Sequence, residues 1–143
     1  MCKFRPMALI DAQAVYVLEQ DLFSDPWPKD SFLGKPFGNE KEFAFVAEKK
    51  KEIVGYIMGW YIEKEINISN VAVMKKYQRH GIGSFLVSNL LKHYNHFEIC
   101  FLEVRESNYS AQKLYNKFGF RDIYIRKSYY SNGENAVVMS KQK

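Results

Sequence analysis

Two residues in the second half of the chain carry chemistry that their neighbours do not share. Glu103 stands in Ile99-Cys100-Phe101-Leu102-Glu103-Val104, where a carboxylate interrupts an apolar run and must find water or a partner. Such a carboxylate can accept a proton. It can equally close a strand end by pairing with Arg105 or a lysine. Tyr115 shares a stripe with Ala111, Leu114 and Phe118, the i, i+3, i+4, i+7 spacing of one helix face. Its phenol can give up a proton, or pack in a core with its hydroxyl satisfied. The third feature is Gln78-Arg79-His80-Gly81-Ile82-Gly83-Ser84. Glycine costs about 1 kcal/mol against alanine inside a helix, yet two stand where an apolar helical pattern opens. A strand ending at Met74, a short basic loop and then Gly-x-Gly aims free backbone N–H groups at an anion, phosphate above all. Arg79 adds positive charge. A glycine turn without a ligand fits the same residues. Neither G-x-x-x-x-G-K-[ST] nor G-x-G-x-x-G occurs, which argues against a P-loop nucleotidase and a dinucleotide fold.

The elements that must hold these residues follow from periodicity. Leu9, Ala12, Val15, Tyr16 and Leu18 follow helical spacing after Pro6 and predict a first helix ending near Phe23. Ser24-Asp25-Pro26-Trp27-Pro28 reads as a turn, with Pro28 opening a short helix that carries Phe32 and Leu33. Phe43–Ala47 and Ile53–Ile62 predict strands joined as a hairpin across Lys49–Lys51. In the next strand Ile66 and Ile68 share one parity and Val71 and Val73 the other. A β-bulge near Ser69-Asn70 would cause that slip, and so would a strand buried on both faces. Ile82, Phe85, Leu86, Leu90 and Leu91 mark a helix from Gly81 to about Tyr94. Ile99–Val104 reads as a strand. The Tyr115 helix has Asn108 to cap its start and Gly119 just past its end. Phe120–Lys127 and Ala136–Ser140 close the chain as strands around Asn132-Gly133. The order predicts an α/β or α+β layer fold on one mixed sheet.

One domain is expected for 143 residues, of which 47% are hydrophobic and 16% aromatic. The net charge of +5 suits an anionic ligand or nucleic acid. The basic residues are scattered, however, and the Lys49–Lys51 run reads as a solvated turn. Cys2 and Cys100 make no paired spacing and the three histidines no ligand spacing, so neither a disulfide framework nor a metal is expected. Cysteine usage fits a reducing cytoplasm. The most hydrophobic stretch, Ile53–Ile62, is too short to span a bilayer, and Met1–Arg5 lacks the apolar segment of an export signal.

Gln78-Arg79-His80-Gly81-Ile82-Gly83 resembles the Q/R-x-x-G-x-G/A signature of the GNAT superfamily of acetyl-CoA-dependent N-acetyltransferases, preceded by the strand Val71-Ala72-Val73. Leu102-Glu103-Val104-Arg105, Asn108, Ala111, Leu114-Tyr115 and Gly119-Phe120 resemble the family's second half. Phe23, Pro26-Trp27, Phe32 and Tyr129-Tyr130 match places that are characteristic of its RimI-type branch, the ribosomal-protein alanine N-acetyltransferases. Two positions depart: Lys75 replaces a common proline, and Pro28 a polar cap. Both bear on loop geometry.

The resemblance implies a single mixed, twisted sheet of about six to seven strands with helices on both faces and a splayed strand pair at the acetyl-CoA site. It places the coenzyme's pyrophosphate over the backbone of Arg79, His80, Gly81, Ile82, Gly83 and Ser84, its pantetheine along Val71, Ala72 and Val73, and Asn108 in contact with it. Glu103 becomes the proton acceptor, directly or through water, and Tyr115 the donor to the departing thiolate. Trp27, Phe32, Tyr129 and Tyr130 wall the acceptor groove. The implied acceptor is a protein N-terminus, an alanine on a ribosomal protein, with neither membrane nor nucleic acid as partner. An α-amine, with a reference pKa near 8 against 10.4 for lysine, needs roughly 3.5 kcal/mol less to lose its proton at neutral pH. Two other readings compete: acetylation of a lysine side chain or small amine on the same fold, and a non-catalytic ribosome- or RNA-binding module.

Overall fold

The protein is described by a computed structural model covering residues 2–23, 26 and 40–143. Strand β1 (Lys3–Pro6) leads through a short 3-10 turn (Leu9–Asp11) into helix α1 (Ala12–Leu22). Strands β2 (Glu42–Lys49), β3 (Glu52–Ile62) and β4 (Glu65–Val73) follow as an antiparallel meander. Helix α2 (Ile82–His93) connects to β5 (Ile99–Arg105), and α3 (Tyr109–Lys117) to β6 (Arg121–Arg126) and β7 (Ala136–Gln142). The seven strands form one sheet in the order β1-β2-β3-β4-β5-β7-β6, antiparallel except at β4/β5.

Local chemistry explains the joins. Lys50 and Lys51 have φ of 50° and 64°, and Glu63 and Lys64 have φ of 49° and 66°. Two successive left-handed residues form the two-residue hairpin whose twist matches that of the flanking strands. The predicted lysine hairpin is therefore present, in a turn built without glycine. Strand β1 was not anticipated. It is four residues long, ends in proline and pairs only along one edge of β2, from Lys3↔Glu48 to Pro6↔Phe45. Proline is tolerated at such an edge. The predicted short helix around Phe32 lies outside the described residues.

Period-two alternation divides the sheet between two layers. Ala44, Val46, Tyr56, Met58 and Ala72 face α1, which contributes Ala12, Val15 and Leu18. Phe43, Phe45, Ala47, Ile57, Ile66, Ile68, Leu102 and Met139 face α2 and α3, which supply Ile82, Leu86, Leu90 and Tyr115. Helices thus cover both faces. Each fully buried side chain of this size contributes about 1.5–3 kcal/mol.

The parity slip in β4 is a bulge. Met58 pairs with Asn70 and Gly59 with Ile68, leaving Ser69 without an opposite residue. One extra residue keeps Ile66, Ile68, Val71 and Val73 all on the α2/α3 side and turns Ala72 toward α1. At Gly59 the strands approach so closely that a Cβ would stand 1.9 Å from the Asn67 carbonyl oxygen and 2.7 Å from the Phe43 ring. Only glycine fits there. Beside the bulge the sheet opens: β4 pairs with β5 only from Glu65↔Ile99 to Ile68↔Leu102. No helix among the described residues is long and apolar enough to cross a membrane.

Candidate active site

The anion-binding end is built by the chain that leaves β4. A 3-10 turn, Lys75–Tyr77, is followed by Arg79 at φ 68° and Gly81 at φ 82°, ψ 8°. A Cβ on Gly81 would meet nothing within 4 Å, so the left-handed backbone, rather than crowding, calls for glycine here. The His80 N–H donates to the Tyr77 carbonyl at 3.3 Å, and the first bond into the helix runs from the Phe85 N–H to the Gly81 carbonyl at 2.9 Å. The amides of Ile82, Gly83 and Ser84 precede that ladder, and no side chain among the described residues caps them. With the helix dipole behind them and the exposed Arg79 alongside, they suit an anion. Gly83 also lets α2 approach α3, since a Cβ there would lie 3.1 Å from Leu114.

The open seam adjoins this end. Val71, Ala72 and Val73 pair with Ile57, Tyr56 and Gly55 of β3, and their other backbone edge has no strand partner among the described residues. Opposite them Glu103, Val104 and Arg105 pair only with β7. Both α2 and α3 leave from the carboxyl ends of the two parallel strands, the crevice where ligands bind in such sheets.

Cys100, Leu102 and Val104 take the α2/α3 face of β5, so Glu103 projects from the other face, its side chain 31% exposed. Its carboxylate lies 3.5 Å from the Arg126 guanidinium, and burial first, then the Glu103 carboxylate nearby, raise the Tyr129 phenol above the ordinary tyrosine value. Neither Arg105 nor a lysine is the ion-pair partner of Glu103 among the described residues. Arg105 instead pairs with Glu134 at 3.1 Å and stacks on the Tyr130 ring at 3.9 Å. A cavity of about 220 Å³ is lined by Glu103, Arg126, Tyr124, Phe101 and Asn67. A larger, shallower depression at His96–Ile99 adjoins the opposite end of β5.

Tyr115 is 7% exposed and packs edge-on against Phe120. Burial, and then the neighbouring Cys100 and Tyr130, push its phenol above the ordinary tyrosine value, so it stays protonated. Tyr130 is pushed up to about 12, by burial first; Arg105 acts against the rise and Glu103 with it. Its ring lies 5.1 Å from that of Tyr129. Tyr130 thus feels both Glu103 and Tyr115, although Tyr115 packs on the α2/α3 face and Glu103 projects from the other. The loop carrying the tyrosine pair is tied to β5: Glu134 accepts from the Ser107 N–H at 2.8 Å and from Arg105, while the Tyr130 N–H donates to the Glu134 carbonyl at 3.1 Å. Asn108 caps α3, accepting from the Ala111 N–H at 3.2 Å. Trp27 and Phe32 lie outside the described residues. Arg126 and Glu134 carried no signal in the sequence, because their partners depend on the strand order.

Residues 12–120 match the acetyltransferase (GNAT) family. The chain belongs to that family. Its donor is acetyl-CoA. This GNAT chain is 36% identical to a Bacillus subtilis protein, over 94% of its own length and 91% of the relative's; that protein is provisionally assigned to alanine N-acetylation of ribosomal protein bS18. It is 34% identical, over 91% of both chains, to the Haemophilus influenzae protein named ribosomal protein bS18-alanine N-acetyltransferase. The crystal structure of the ribosomal-protein-S18-alanine N-acetyltransferase from Escherichia coli superposes on it with a TM-score of 0.90 at 28% identity, covering 99% of this chain and 94% of the other.

Proposed function

We propose that this acetyltransferase works in the cytoplasm on protein N-termini, moving an acetyl group from acetyl-CoA to the α-amine of an N-terminal alanine on a ribosomal protein. The observation that carries this reading is the similarity over about nine-tenths of both chains to relatives named for that reaction. The energetic preference for an α-amine over a lysine supports it.

The residues divide the work. The amides of Ile82, Gly83 and Ser84 and the Arg79 side chain hold the diphosphate, with the Arg79, His80 and Gly81 backbone shaping the turn and Asn108 bordering it from α3. The open edge of Val71–Val73 takes the pantetheine amides as a further strand would, and one N–H there faces the thioester carbonyl. Its donation strengthens as negative charge builds on that oxygen. Glu103, exposed in its cavity, takes the proton of the incoming ammonium directly or through one water, because an ammonium has no lone pair with which to attack. Arg126 holds that carboxylate in place. Tyr130 flanks the acceptor, a role that the family resemblance extends to Trp27 and Phe32. Tyr115, kept protonated by burial, donates to the thiolate as the C–S bond breaks.

The test is acetyl transfer by wild type, Glu103→Gln and Tyr115→Phe to two peptides: one with a free N-terminal alanine, one blocked at its N-terminus and carrying lysine. Transfer to the free alanine alone, a lower kcat in both variants and little change in KM for acetyl-CoA are expected. Unchanged turnover in both variants would overturn the role assignments.

A further inference from the structure

The bulge in β4 has an anchor that the mechanism above does not use. Glu19, in the last turns of α1, is 1% exposed. Its Oε1 accepts hydrogen bonds from the Asn70 side-chain amide at 2.6 Å and from the Tyr56 hydroxyl at 2.5 Å. Asn70 immediately follows the unopposed Ser69, and the bulge is what turns its side chain toward α1. The same stretch is where β4 loses β5 as a partner. A strand that is bulged, and free along one edge, has little in its ladder to fix the tilt of its peptide planes. The direction of the amides after Ser69 then depends on what grips that segment from either face. On the β3 side the grip is the close approach at Gly59. On the α1 side it is Glu19.

A buried carboxylate is a poor choice for stability alone, since apolar residues of similar size often do as well. It is a strong acceptor for two donors that arrive from neighbouring strands. We infer that Glu19 and Asn70 are positioning residues that set the orientation of the peptide groups following Ser69, and through them the N–H that meets the thioester carbonyl. The kinetic consequence rests on the acetyl-transfer reading; the clamp itself does not. Tyr56, on β3, pairs with Ala72 and donates to the same carboxylate oxygen as Asn70.

The experiment compares wild type, Asn70→Ala, Glu19→Ala, the Glu19→Ala/Asn70→Ala double variant and Glu19→Gln in steady-state transfer to an alanine peptide, and measures amide hydrogen exchange on the free proteins. Asn70→Ala and Glu19→Ala are expected to lower kcat at least about tenfold, with KM for acetyl-CoA within about threefold, because a misaimed oxyanion donor costs turnover more than binding. The double variant is no slower than the slower single one. Glu19→Gln, whose amide oxygen still accepts from Asn70, recovers most of the rate. Exchange of the amides from Ser69 to Val71 accelerates at least about tenfold in Asn70→Ala while the β2–β3 hairpin is unchanged. Asn70 is only partly buried, so Asn70→Ala folds even where Glu19→Ala does not. A folded Asn70→Ala protein with kcat within about twofold of wild type overturns the inference. If wild type transfers no acetyl group, the acetyltransferase reading fails, and exchange alone decides the clamp: unchanged protection from Ser69 to Val71 refutes it, and faster exchange supports it.

Discussion

Substituting Gly81→Ala separates two costs that the structure allows to be worked out in advance. The backbone there has φ 82°, and a Cβ would meet nothing within 4 Å. The added methyl therefore clashes with no neighbour, and the penalty is conformational, about 1–2 kcal/mol for a left-handed alanine. Gly133 offers a matched control: its φ is 87°, it too has open space around a Cβ, and it lies in the β6–β7 loop rather than at α2. Gly133→Ala should lose the same stability, a fall in Tm of about 2–8 °C for a chain of this size. What differs is the coenzyme. The Gly81 carbonyl accepts the first bond of α2, so relaxing the strain there re-aims the amides of Ile82–Ser84. Losing one hydrogen bond to a charged phosphate costs about 1.5–3 kcal/mol, which is roughly 10- to 150-fold in affinity. The assay is calorimetric titration of coenzyme A into the three proteins, with thermal melts alongside. Coenzyme A affinity within about twofold of wild type in Gly81→Ala, or an equal loss in Gly133→Ala, would refute the assignment of this turn to the diphosphate.

Arg79, non-glycine at φ 68°, should respond in the opposite sense: Arg79→Gly raises Tm by about 2–4 °C as strain is relieved, while coenzyme A binds more weakly and with a flatter salt dependence. At the alkaline end, burial raises the phenols of Tyr56, Tyr115 and Tyr130. Each keeps a proton that the unfolded chain releases near pH 10, so stability is complete below about pH 10 and falls as pH rises beyond it. Melts between about pH 8 and 11 should show that limb, shallower in Tyr56→Phe. At the acid end, Arg5 bonds both carboxylate oxygens of Asp11 at 2.7 and 3.0 Å and holds its carboxyl below the usual range, the Ala8 N–H assisting against desolvation. That contribution is present above about pH 3.9 and lost as pH falls through the folded value; Asp11→Asn should cost about 1–2 kcal/mol in urea melts at pH 7.

Much of the backbone around the candidate site could be read from residue patterns alone. The change of parity between Ile68 and Val71 located the bulge, because side chains on a strand alternate whatever the fold. Asn108 and Gly119 bracket α3 as expected, the glycine at φ 93°. The Gly-x-Gly turn marked the uncapped start of α2. Other features were not legible. Arg126 reaches Glu103 across β7, and nothing in the sequence says that β7 comes between β5 and β6. Leu9 looked like part of the helical stripe but lies in the 3-10 turn, 56% exposed, with the helix phase starting at Ala12. Glu19 did leave a trace: it stands four residues after Val15 and seven after Ala12, on the buried stripe of α1. Polar residues on such a stripe are easily passed over when only apolar positions are counted.

Four residue pairs join β4 to β5, whereas β3 and β4 are joined by eight. Mechanically, the molecule is two plates meeting along a short weld, braced by α2 across one side. A ligand lodged in the gap would bond to both plates and act as a rivet, supplying stiffness that the polypeptide leaves out. The free protein should then loosen first along that line, and should melt as a single block only once the gap is filled.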